Sequence, residues 1–515
     1  MFKVAKKTVT SLAGRRWFSF SSSQWSKHHI QHFNIAVVGT GPAGFYTAHH
    51  ILSKCSDNMR INLDFFERLP APFGLSRYGV APDHPEVKNC EEYLENIMDK
   101  YSDTKDNNSH KVRFLGNVNI GKDISLKQLE SYYHSIVLSY GSTSADNKLQ
   151  VAGSDLPGVI SARQFVNWYN GHPDFYATGK KFVPPPLDQI EDVTIIGNGN
   201  VALDVARILL ADPATHWSKT DISVDALQVL QNSTVKNVNI VARRGLLESA
   251  FSNKEIRELF ELSNENSIKF IPLDDKEFEN IDIKSLGRVD KRKVSIIEKY
   301  TKASHTAPAA DRTWSLQYLK SPKAFLPHAS NAKLLSATEV VKNELIHDPL
   351  TNTAKVRPTS ESETIKNELV ILSIGYQGSP LLGFEENGIL FEKNRLFNKH
   401  GRILSIESKE EEEHNSVYKK GWYTSGWIKN GPKGVIATTM MDSFDTADKV
   451  LEDLSNGIHL ETSGGDIHDL LKDKTVVGWD NWKVLDAYEK SKGEKEGKSR
   501  YKICNSEDMI KIACN

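Results

Sequence analysis

Three glycines near the N-terminus have the spacing of a turn that binds a dinucleotide. Gly39, Gly41 and Gly44 form the pattern G-x-G-x-x-G. Glycines at these positions permit a tight turn, let the backbone approach a pyrophosphate and allow the next helix to pack closely. The first N–H groups of that helix, at its positive dipole end, attract phosphate. The triplet therefore predicts a phosphate-binding turn.

Glu67 adds a second feature in the expected place. It follows an apolar stretch, residues 61–66, and lies 23 residues after Gly44. A carboxylate at the end of this second strand can accept hydrogen bonds from ribose hydroxyls. A surface carboxylate after a strand would look the same. Taken with the glycines, Glu67 favours a first site that suits FAD.

The glycine pattern returns in the middle of the chain with a different ending. Residues 197–202 read G-x-G-x-x-A, and the second strand of this unit ends in Arg243 and Arg244. A carboxylate would repel a 2′-phosphate, whereas adjacent guanidiniums can bind one. The pair favours NADP(H) over NAD(H), although an exposed basic pair at a strand end is the plainer interpretation.

The elements that must position these groups can be predicted from short apolar runs. Buried parallel strands are predicted at 33–38, 61–66, 135–139, 193–196, 238–242 and 369–373, with helices at 45–52 and 203–210. This order predicts an α/β protein with two Rossmann-like dinucleotide-binding domains. Two such folds imply two dinucleotides, FAD and NADPH, with hydride passing between them.

Composition limits the remaining possibilities. The chain has 515 residues, 39% hydrophobic and 25% charged, with net charge −1. These values are typical of a soluble protein of two or three domains and do not predict a nucleic-acid footprint. No apolar run reaches the roughly 20 residues that span a bilayer. The four cysteines form neither a CxxC pair nor a metal-ligand cluster, which argues against a zinc site or a dithiol motif.

The first residues are basic and contain no acid. No Asp or Glu precedes Asp57, and residues 1–26 are rich in Ser, Lys and Arg. This composition is typical of a mitochondrial transit peptide, while a disordered basic tail is the alternative. We predict that residues 1–30 form the leader and that ordered structure begins near Phe33.

Three longer stretches identify a family. Residues 72–85, 199–209 and 426–440 closely resemble the adrenodoxin-reductase type of mitochondrial ferredoxin–NADP reductases, in a fungal-like form. The resemblance runs from about Phe33 to the region around Trp482. It implies an FAD enzyme that takes hydride from NADPH and passes single electrons to a small acidic [2Fe–2S] ferredoxin. It also implies a glutathione-reductase-like architecture without the redox-active disulfide.

The resemblance assigns site residues one by one. FAD contacts fall on Ala43, Glu67, Leu75, Ile120, Trp427, Gly434, Val435 and Ile436. NADP contacts fall on Asn198, Gly199, Asn200, Val201, Arg243, Arg244, Glu255 and again Gly434. Ile120 stands where relatives carry Val, a change that a backbone contact would tolerate.

His84 and Asp204 are the titratable candidates. The resemblance places their counterparts near the flavin and the nicotinamide. An imidazole suits the proton handling that one-electron reoxidation requires. His84 could instead be a turn histidine bonded to loop backbone, and Asp204 could simply stabilise the N-terminus of its helix.

Local basic clusters suggest a protein partner. Lys254, Arg257, Arg288, Lys291, Arg292 and Lys293 lie in two short stretches. The resemblance implies that Arg257, Arg288 and Arg292 bind acidic side chains of the ferredoxin, since a basic surface steers an acidic partner into a transient complex. Ordinary surface charge is the alternative, because Glu255 and Asp290 dilute the clusters.

One of the two predicted domains is discontinuous in sequence. The FAD domain takes residues 31–141 and 377–515, and the NADP domain is inserted as 142–376. The acidic run from Glu410 to Glu413 is interpreted as a solvated loop.

Function and location follow from the resemblance. It implies a monomer in the mitochondrial matrix, or held peripherally at the inner membrane, that supports iron–sulfur cluster or haem A synthesis. Two other functions are alternatives: an NADPH-dependent flavin monooxygenase, and a non-enzymatic binding or redox-sensing module that uses the folds to hold nucleotides.

Overall fold

The computed structural model describes residues 30–102, 109–142, 145–176, 182–263, 267–279, 281–306, 308–348, 353–409 and 417–515. Of the predicted leader, only Ile30 lies within these ranges. The acidic run 410–413 also lies outside the described residues.

The strands of the described residues are short in both main sheets and longer in a third, antiparallel sheet. In chain order they are β1 Gln31–Val38, β2 Met59–Phe66, β3 Lys111–Leu115, β4 Ser135–Leu138, β5 Ala145–Asp146, β6 Val159–Ser161, β7 Asp192–Ile196, β8 Asn237–Val241, β9 Ile268–Ile271, β10 Arg312–Gln317, β11 Lys320–His328, β12 Asn331–Asp348, β13 Thr353–Lys366, β14 Leu369–Leu372, β15 Tyr376–Gln377, β16 Phe391–Glu392, β17 Arg395–Leu396, β18 Asn398–Lys399, β19 Arg402–Leu404 and β20 Tyr418–Thr424.

The helices pack against these sheets. They are α1 Pro42–Lys54, α2 Leu75–Tyr78, α3 Glu92–Tyr101, α4 Leu126–Glu130, α5 Ala162–Tyr169, α6 Asn200–Leu210, α7 Val224–Gln231, α8 Asn253–Leu262, α9 Lys276–Glu279, α10 Arg288–Thr306, α11 Trp427–Asn430, α12 Ile436–Ser455, α13 Trp479–Lys495 and α14 Ser506–Cys514.

The first sheet joins the two ends of the chain. Its strand order is β18-β19-β20-β4-β1-β2-β3, and β20, β4, β1, β2 and β3 run parallel. The last four residues of β1 are buried, as expected for a strand covered by helices on both faces. Helix α1 connects β1 to β2 and packs on α12 from the C-terminal part of the chain.

The second sheet takes all its strands from the middle of the chain. Its order is β6-β14-β7-β8-β10-β9, and every pair is parallel. Strand β7 is buried along its whole length. The fold class predicted from the sequence is therefore confirmed: α/β, with one dinucleotide-binding fold inserted into another.

The two connections between the sheets lie side by side. Strand β5 leaves the first sheet and pairs antiparallel with β15, which returns to it. Strands β11, β12 and β13 form a separate antiparallel sheet that belongs to the inserted part.

The predicted elements are present, with shifted ends. Strand β1 begins at Gln31 rather than near Phe33, and β8 ends at Val241 rather than at residue 242. Helices α1 and α6 begin three residues before the predicted starts, at Pro42 and Asn200. Both start inside the glycine motif because Gly41 and Gly199 act as N-caps. Proline is suited to the first helical position, which favours this start for α1.

Candidate active site

A cleft of about 530 Å³ opens at the carboxyl ends of β1, β2 and β4. Parallel sheets bind ligands at this edge. Its walls come from both ends of the chain, because α11 and α12 close it from the C-terminal side. The cleft brings together these predicted flavin residues: Gly39, Gly41, Ala43, Glu67, Leu75, Ile120, Trp427 and Ile436.

The three glycines of the first motif have different roles. Gly39 has a φ of 101°, and a Cβ at Gly44 would lie 2.1 Å from the Gly39 carbonyl oxygen. Both positions therefore exclude larger residues for reasons internal to the fold. Gly41 is different, because a Cβ built there would meet no protein atom within 4 Å. Its backbone faces open space, which is the cradle that a pyrophosphate needs.

Glu67 is held rigidly at the wall of this cleft. One carboxylate oxygen accepts hydrogen bonds from the Thr40 N–H (3.1 Å) and the Thr40 hydroxyl (2.7 Å), and the other accepts from the Leu69 N–H (3.0 Å). A carboxylate oxygen can accept more than one bond, so capacity remains for a ribose diol. The residues present at this cleft fit FAD.

Gly434 and Val435 lie next to the cleft and do not line it. They precede α12, whose first residue, Ile436, does line the cleft. Val435 is 50% exposed, and Gly434 has a φ of 84°. The placement of both residues near the nicotinamide stays a prediction.

The second glycine motif repeats the design of the first. Helix α6 begins at the cap Gly199, where no side chain caps the helix and a Cβ would again meet nothing within 4 Å. The flanking asparagines are fixed: Asn198 donates to the Ser249 hydroxyl (3.2 Å), and the Asn200 side chain accepts from the Ser252 N–H (2.8 Å). The N-terminus of α6 is thus open to a phosphate.

Arg243 and Arg244 follow β8 beside this motif. Both side chains are exposed, and neither has a carboxylate within 4.0 Å among the described residues. Their backbone is fixed, because the Arg243 carbonyl accepts from the Asn343 side chain (2.9 Å) and the Arg244 carbonyl from the Leu319 N–H (3.1 Å). Two unpaired guanidiniums on a rigid corner fit a 2′-phosphate.

His84 and Asp204 meet in a charged cluster between the two folds. The imidazole Nε2 of His84 lies 2.8 Å from a Glu258 carboxylate oxygen and 3.1 Å from the Arg207 guanidinium. Arg207 also pairs with Asp83 through two bonds of 3.0 Å and with Asp204 at 3.0 Å. Among the described residues, no loop backbone group bonds to the His84 side chain.

Glu255 also points into this cluster. One of its oxygens lies 3.5 Å from the Arg207 guanidinium and 3.8 Å from the His84 Nε2. His84, Asp204 and Glu255 offer ligand atoms within 4.8 Å of one another, as a metal site would. Arg207 already supplies a positive charge to both carboxylates, so the geometry suits an ion-pair network.

The cluster raises the pKa of three of its members. Burial lowers the pKa of His84, but Glu258 and Asp83 more than offset this, and the pKa is raised. Burial, with the Asp204 charge, raises the pKa of Glu255 to about 7. Burial also raises the pKa of Asp204, which Arg207 offsets only in part. His84, Glu255 and Asp204 thus all bind a proton more tightly than the free side chains would.

The sequence did not single out Asp83, Arg207 or Glu258. Asp83 adjoins His84, and Arg207 lies one helical turn after Asp204, so spacing alone offered a weak signal. Glu258 lies 174 positions from its partner His84, and only the packing of α8 against the loop brings them together.

The predicted docking arginines lie on two neighbouring helices. Arg257 is on α8, while Arg288 and Arg292 are exposed in the first turns of α10. The two helices are joined where the Asn253 side chain donates to the Val289 carbonyl (3.1 Å). None of the three arginines has a carboxylate within 4.0 Å among the described residues.

Two lysines of the predicted basic clusters do not contribute to that surface. Lys293 is buried and donates to the Ser249 carbonyl (2.7 Å). Lys254 is neutralised by Glu86 at 2.5 Å and Glu258 at 3.6 Å. The basic surface is therefore smaller than the sequence suggested.

Comparison with known proteins finds relatives that share one name. No family model matches the chain. It is 38% identical over 507 residues to the probable mitochondrial NADPH:adrenodoxin oxidoreductase of Saccharomyces cerevisiae, covering 95% of this chain and 98% of that one. The mitochondrial NADPH:adrenodoxin oxidoreductase of Homo sapiens is 36% identical over 538 residues, covering 97% and 99%.

A solved structure has the same fold. Mycobacterium tuberculosis FprA in complex with NADPH superimposes with a TM-score of 0.81 at 31% identity, covering 94% of this chain and 100% of that one.

Proposed function

The chain belongs to the family of mitochondrial NADPH:adrenodoxin oxidoreductases and is an oxidoreductase, and we propose that it oxidises NADPH through FAD and passes single electrons to an acidic [2Fe–2S] ferredoxin. One observation carries the proposal. Two glycine-capped helices, α1 and α6, each present an open N-terminus, and only the second has an unpaired arginine pair beside it. This asymmetry assigns FAD to the first site and NADPH to the second.

The residues of the chain bind and orient. Bound FAD supplies the redox chemistry, since it accepts a hydride and releases electrons one at a time. Gly41 and Glu67 hold one dinucleotide, and Gly199, Arg243 and Arg244 hold the other. Most of the protein's contribution is therefore to bring the reacting rings together.

The charged cluster handles the proton in this proposal. His84 holds the proton in this proposal: its Nε2 lies 2.8 Å from a Glu258 carboxylate oxygen, and the Glu258 and Asp83 charges raise the pKa of the imidazole and so favour its protonated form. Asp204 and Glu255 both contact the Arg207 guanidinium, at 3.0 and 3.5 Å, and orient it beside the imidazole. Glu255 is also proposed as an NADP contact, as the sequence predicted.

The partner surface is proposed on α8 and the start of α10. Positive charge is unfavourable at a helix N-terminus, yet Arg288, Lys291 and Arg292 all lie in the first turns of α10. Because these cations destabilise the N-terminus of α10, their presence suggests that they bind an external acidic partner. The expected complex is transient and sensitive to salt.

Charge reversal tests this surface. We expect Arg257→Glu or Arg292→Glu to lower ferredoxin-dependent cytochrome c reduction by about 10- to 100-fold, while NADPH–ferricyanide activity stays within about twofold, because close interfacial charge pairs are worth roughly 1.5–7 kcal/mol. Lys333→Glu, on β12, is the matched control for net charge. Equal loss of both activities in the arginine variants would argue against docking.

The FAD domain comprises residues 31–141 and 377–515 and the NADP domain residues 142–376. The protein acts as a monomer in the mitochondrial matrix or peripherally at the inner membrane, and supports iron–sulfur cluster or haem A synthesis. Among the described residues, no helix is both long and apolar enough to cross a bilayer.

Anaerobic titration tests the cofactor assignment. The purified protein should carry a flavin whose visible absorbance is bleached by one equivalent of NADPH and only slowly by NADH. A protein that carries no flavin, or one bleached equally fast by both nucleotides, would contradict the assignment.

A further inference from the structure

A buried lysine near the C-terminus contacts both folds. The Lys502 ammonium is fully buried and donates to the Arg77 carbonyl (2.9 Å), and it pairs with Asp221 (3.0 Å). Arg77 lies in α2, which belongs to the flavin side, and Asp221 lies in the insert, just before α7. One charged atom thus links the wall of the flavin cleft to the nucleotide-binding insert.

Asp221 is the second half of this link. Its carboxylate also forms an ion pair with the Lys88 ammonium, from the flavin side, at 2.5 Å. Burial raises the pKa of Asp221, but Lys502 and Lys88 more than offset this and hold it below its usual range. For Lys502, burial outweighs Asp221 and lowers the pKa to about 7. Burying such charges is expensive unless they are paired, so the pairing specifies one arrangement of the two folds.

The residues that flank Lys502 also contact the insert. The Ser499 N–H donates to the Lys219 carbonyl in the insert (2.9 Å). A Cβ at Gly171, also in the insert, would lie 2.8 Å from the Cys504 sulfur. Residues 499–504 therefore pack closely against the insert at both ends of the segment.

The same segment also contacts α2, on the flavin side, through a buried ion pair. Arg77 donates to both oxygens of the fully buried Glu489 (2.7 and 2.8 Å), and Glu489 also accepts from the Ile503 N–H (2.8 Å). The same four-residue helix presents Leu75 and Tyr78 to the flavin cleft. Any shift of the segment is transmitted to the cleft wall through this buried pair.

We propose that residues 499–504 form a clasp that fixes the orientation of the NADPH-binding insert relative to the flavin cleft, with Lys502 and Asp221 as positioning residues for hydride transfer. The proposal rests on the proposed function, because it needs NADPH on the insert and FAD in the cleft. Neither residue touches a cofactor site directly. They act through α2 on one side and the start of α7 on the other.

The clasp should affect the transfer step more than binding. Most of the flavin cleft is lined by residues of the flavin side, and the second glycine motif with its arginine pair lies wholly in the insert, so we expect loosening the clasp to leave most contacts to each nucleotide in place. It changes the distance and angle between the rings, and misplacement by about 1 Å can cost about 100-fold in rate. The signature is a lower rate of flavin bleaching at saturating NADPH with an unchanged Kd.

The test compares three holoenzyme variants. Lys502→Met and Asp221→Asn should lower the stopped-flow rate of flavin bleaching by about 10- to 100-fold. FAD content and the Kd for NADPH should stay within about twofold of the wild type. Lys498→Met is the matched control, because Lys498 is also buried (7% exposed, against 3% for Lys502) but its ammonium has no hydrogen-bond partner among the described residues. It should bleach at the wild-type rate.

A second readout does not depend on turnover. Small-angle X-ray scattering of Lys502→Met and Asp221→Asn should show a larger radius of gyration than the wild type and Lys498→Met. If Lys502→Met does not fold, Lys88→Met tests the same link and should give a smaller loss of the same kind, because Lys88 is less buried.

The outcomes separate the two claims. Wild-type protein that NADPH does not bleach would overturn the proposed function, and the clasp with it. A normal wild type, with Lys502→Met and Asp221→Asn transferring hydride at the wild-type rate and scattering unchanged, would overturn the clasp alone. A parallel loss of FAD would also overturn it, because that pattern indicates a role only in folding.

Discussion

Replacing Arg243 and Arg244 together by alanine is expected to lower kcat/KM for NADPH about 100- to 10,000-fold, because two charge-assisted hydrogen-bonding groups worth roughly 1.5–3 kcal/mol each are lost. The value for NADH should stay within about twofold, since NADH has no 2′-phosphate to bind. The structure gives the reason for this selectivity: both guanidiniums are exposed and unpaired among the described residues, on a corner fixed by Asn343 and Leu319.

Steady-state ferricyanide reduction with each nucleotide measures the effect. Arg357→Ala serves as the control, because Arg357 is an exposed arginine of the same insert that pairs with Glu344. It should leave both activities unchanged. If the double variant lost NADH activity as severely as NADPH activity, the arginines would be structural and the phosphate assignment wrong.

Substituting Gly41 by valine should give a folded protein without flavin. The added side chain meets no protein atom near its Cβ, so the fold has room for it. It fills the space that the pyrophosphate requires, and we expect FAD affinity to fall by at least about 100-fold, the cost of losing several backbone and dipole contacts worth about 1 kcal/mol each.

Flavin absorbance and the far-ultraviolet circular dichroism of the same sample measure both halves of this result. Gly287→Val is the matched control, because its added Cβ also meets nothing within 4 Å and it lies outside both nucleotide motifs. That variant should purify yellow. A Gly41→Val protein with full flavin content would show that the pyrophosphate does not approach this turn.

The local parts of the fold could be predicted from the sequence because short-range chemistry determines them. The glycine spacing around Gly39 and Gly197 and the buried strands that precede them need no distant contact. Even there, the sequence predicts helix starts that are three residues late. The glycine motif suggests a turn over its whole length, whereas its last three residues already belong to the helix.

The charged cluster could be predicted only in part. The sequence points to His84 and Asp204, but their partner Arg207 and the acceptor Glu258 depend on how the insert packs on the flavin side. Lys293 was assigned to the surface because lysine usually is exposed, yet the structure buries it against Ser249. Pairings across more than 100 residues leave no periodic signal.

The C-terminal clasp shows the same limit more clearly. Around Lys498 and Lys502 the sequence is charged and resembles a solvated tail. Both lysines are more than nine-tenths buried, and only the meeting of two folds at Asp221 explains the burial of Lys502. Such a site forms from the arrangement of domains and has no local motif.

The most direct measurement of the central claim is NADPH-driven reduction of cytochrome c by the purified protein, with and without a mitochondrial [2Fe–2S] ferredoxin. The proposed function predicts a flavin-containing protein whose cytochrome c reduction depends on the ferredoxin, prefers NADPH to NADH and weakens as salt is raised. Rapid NADPH oxidation by oxygen with no response to ferredoxin would contradict it.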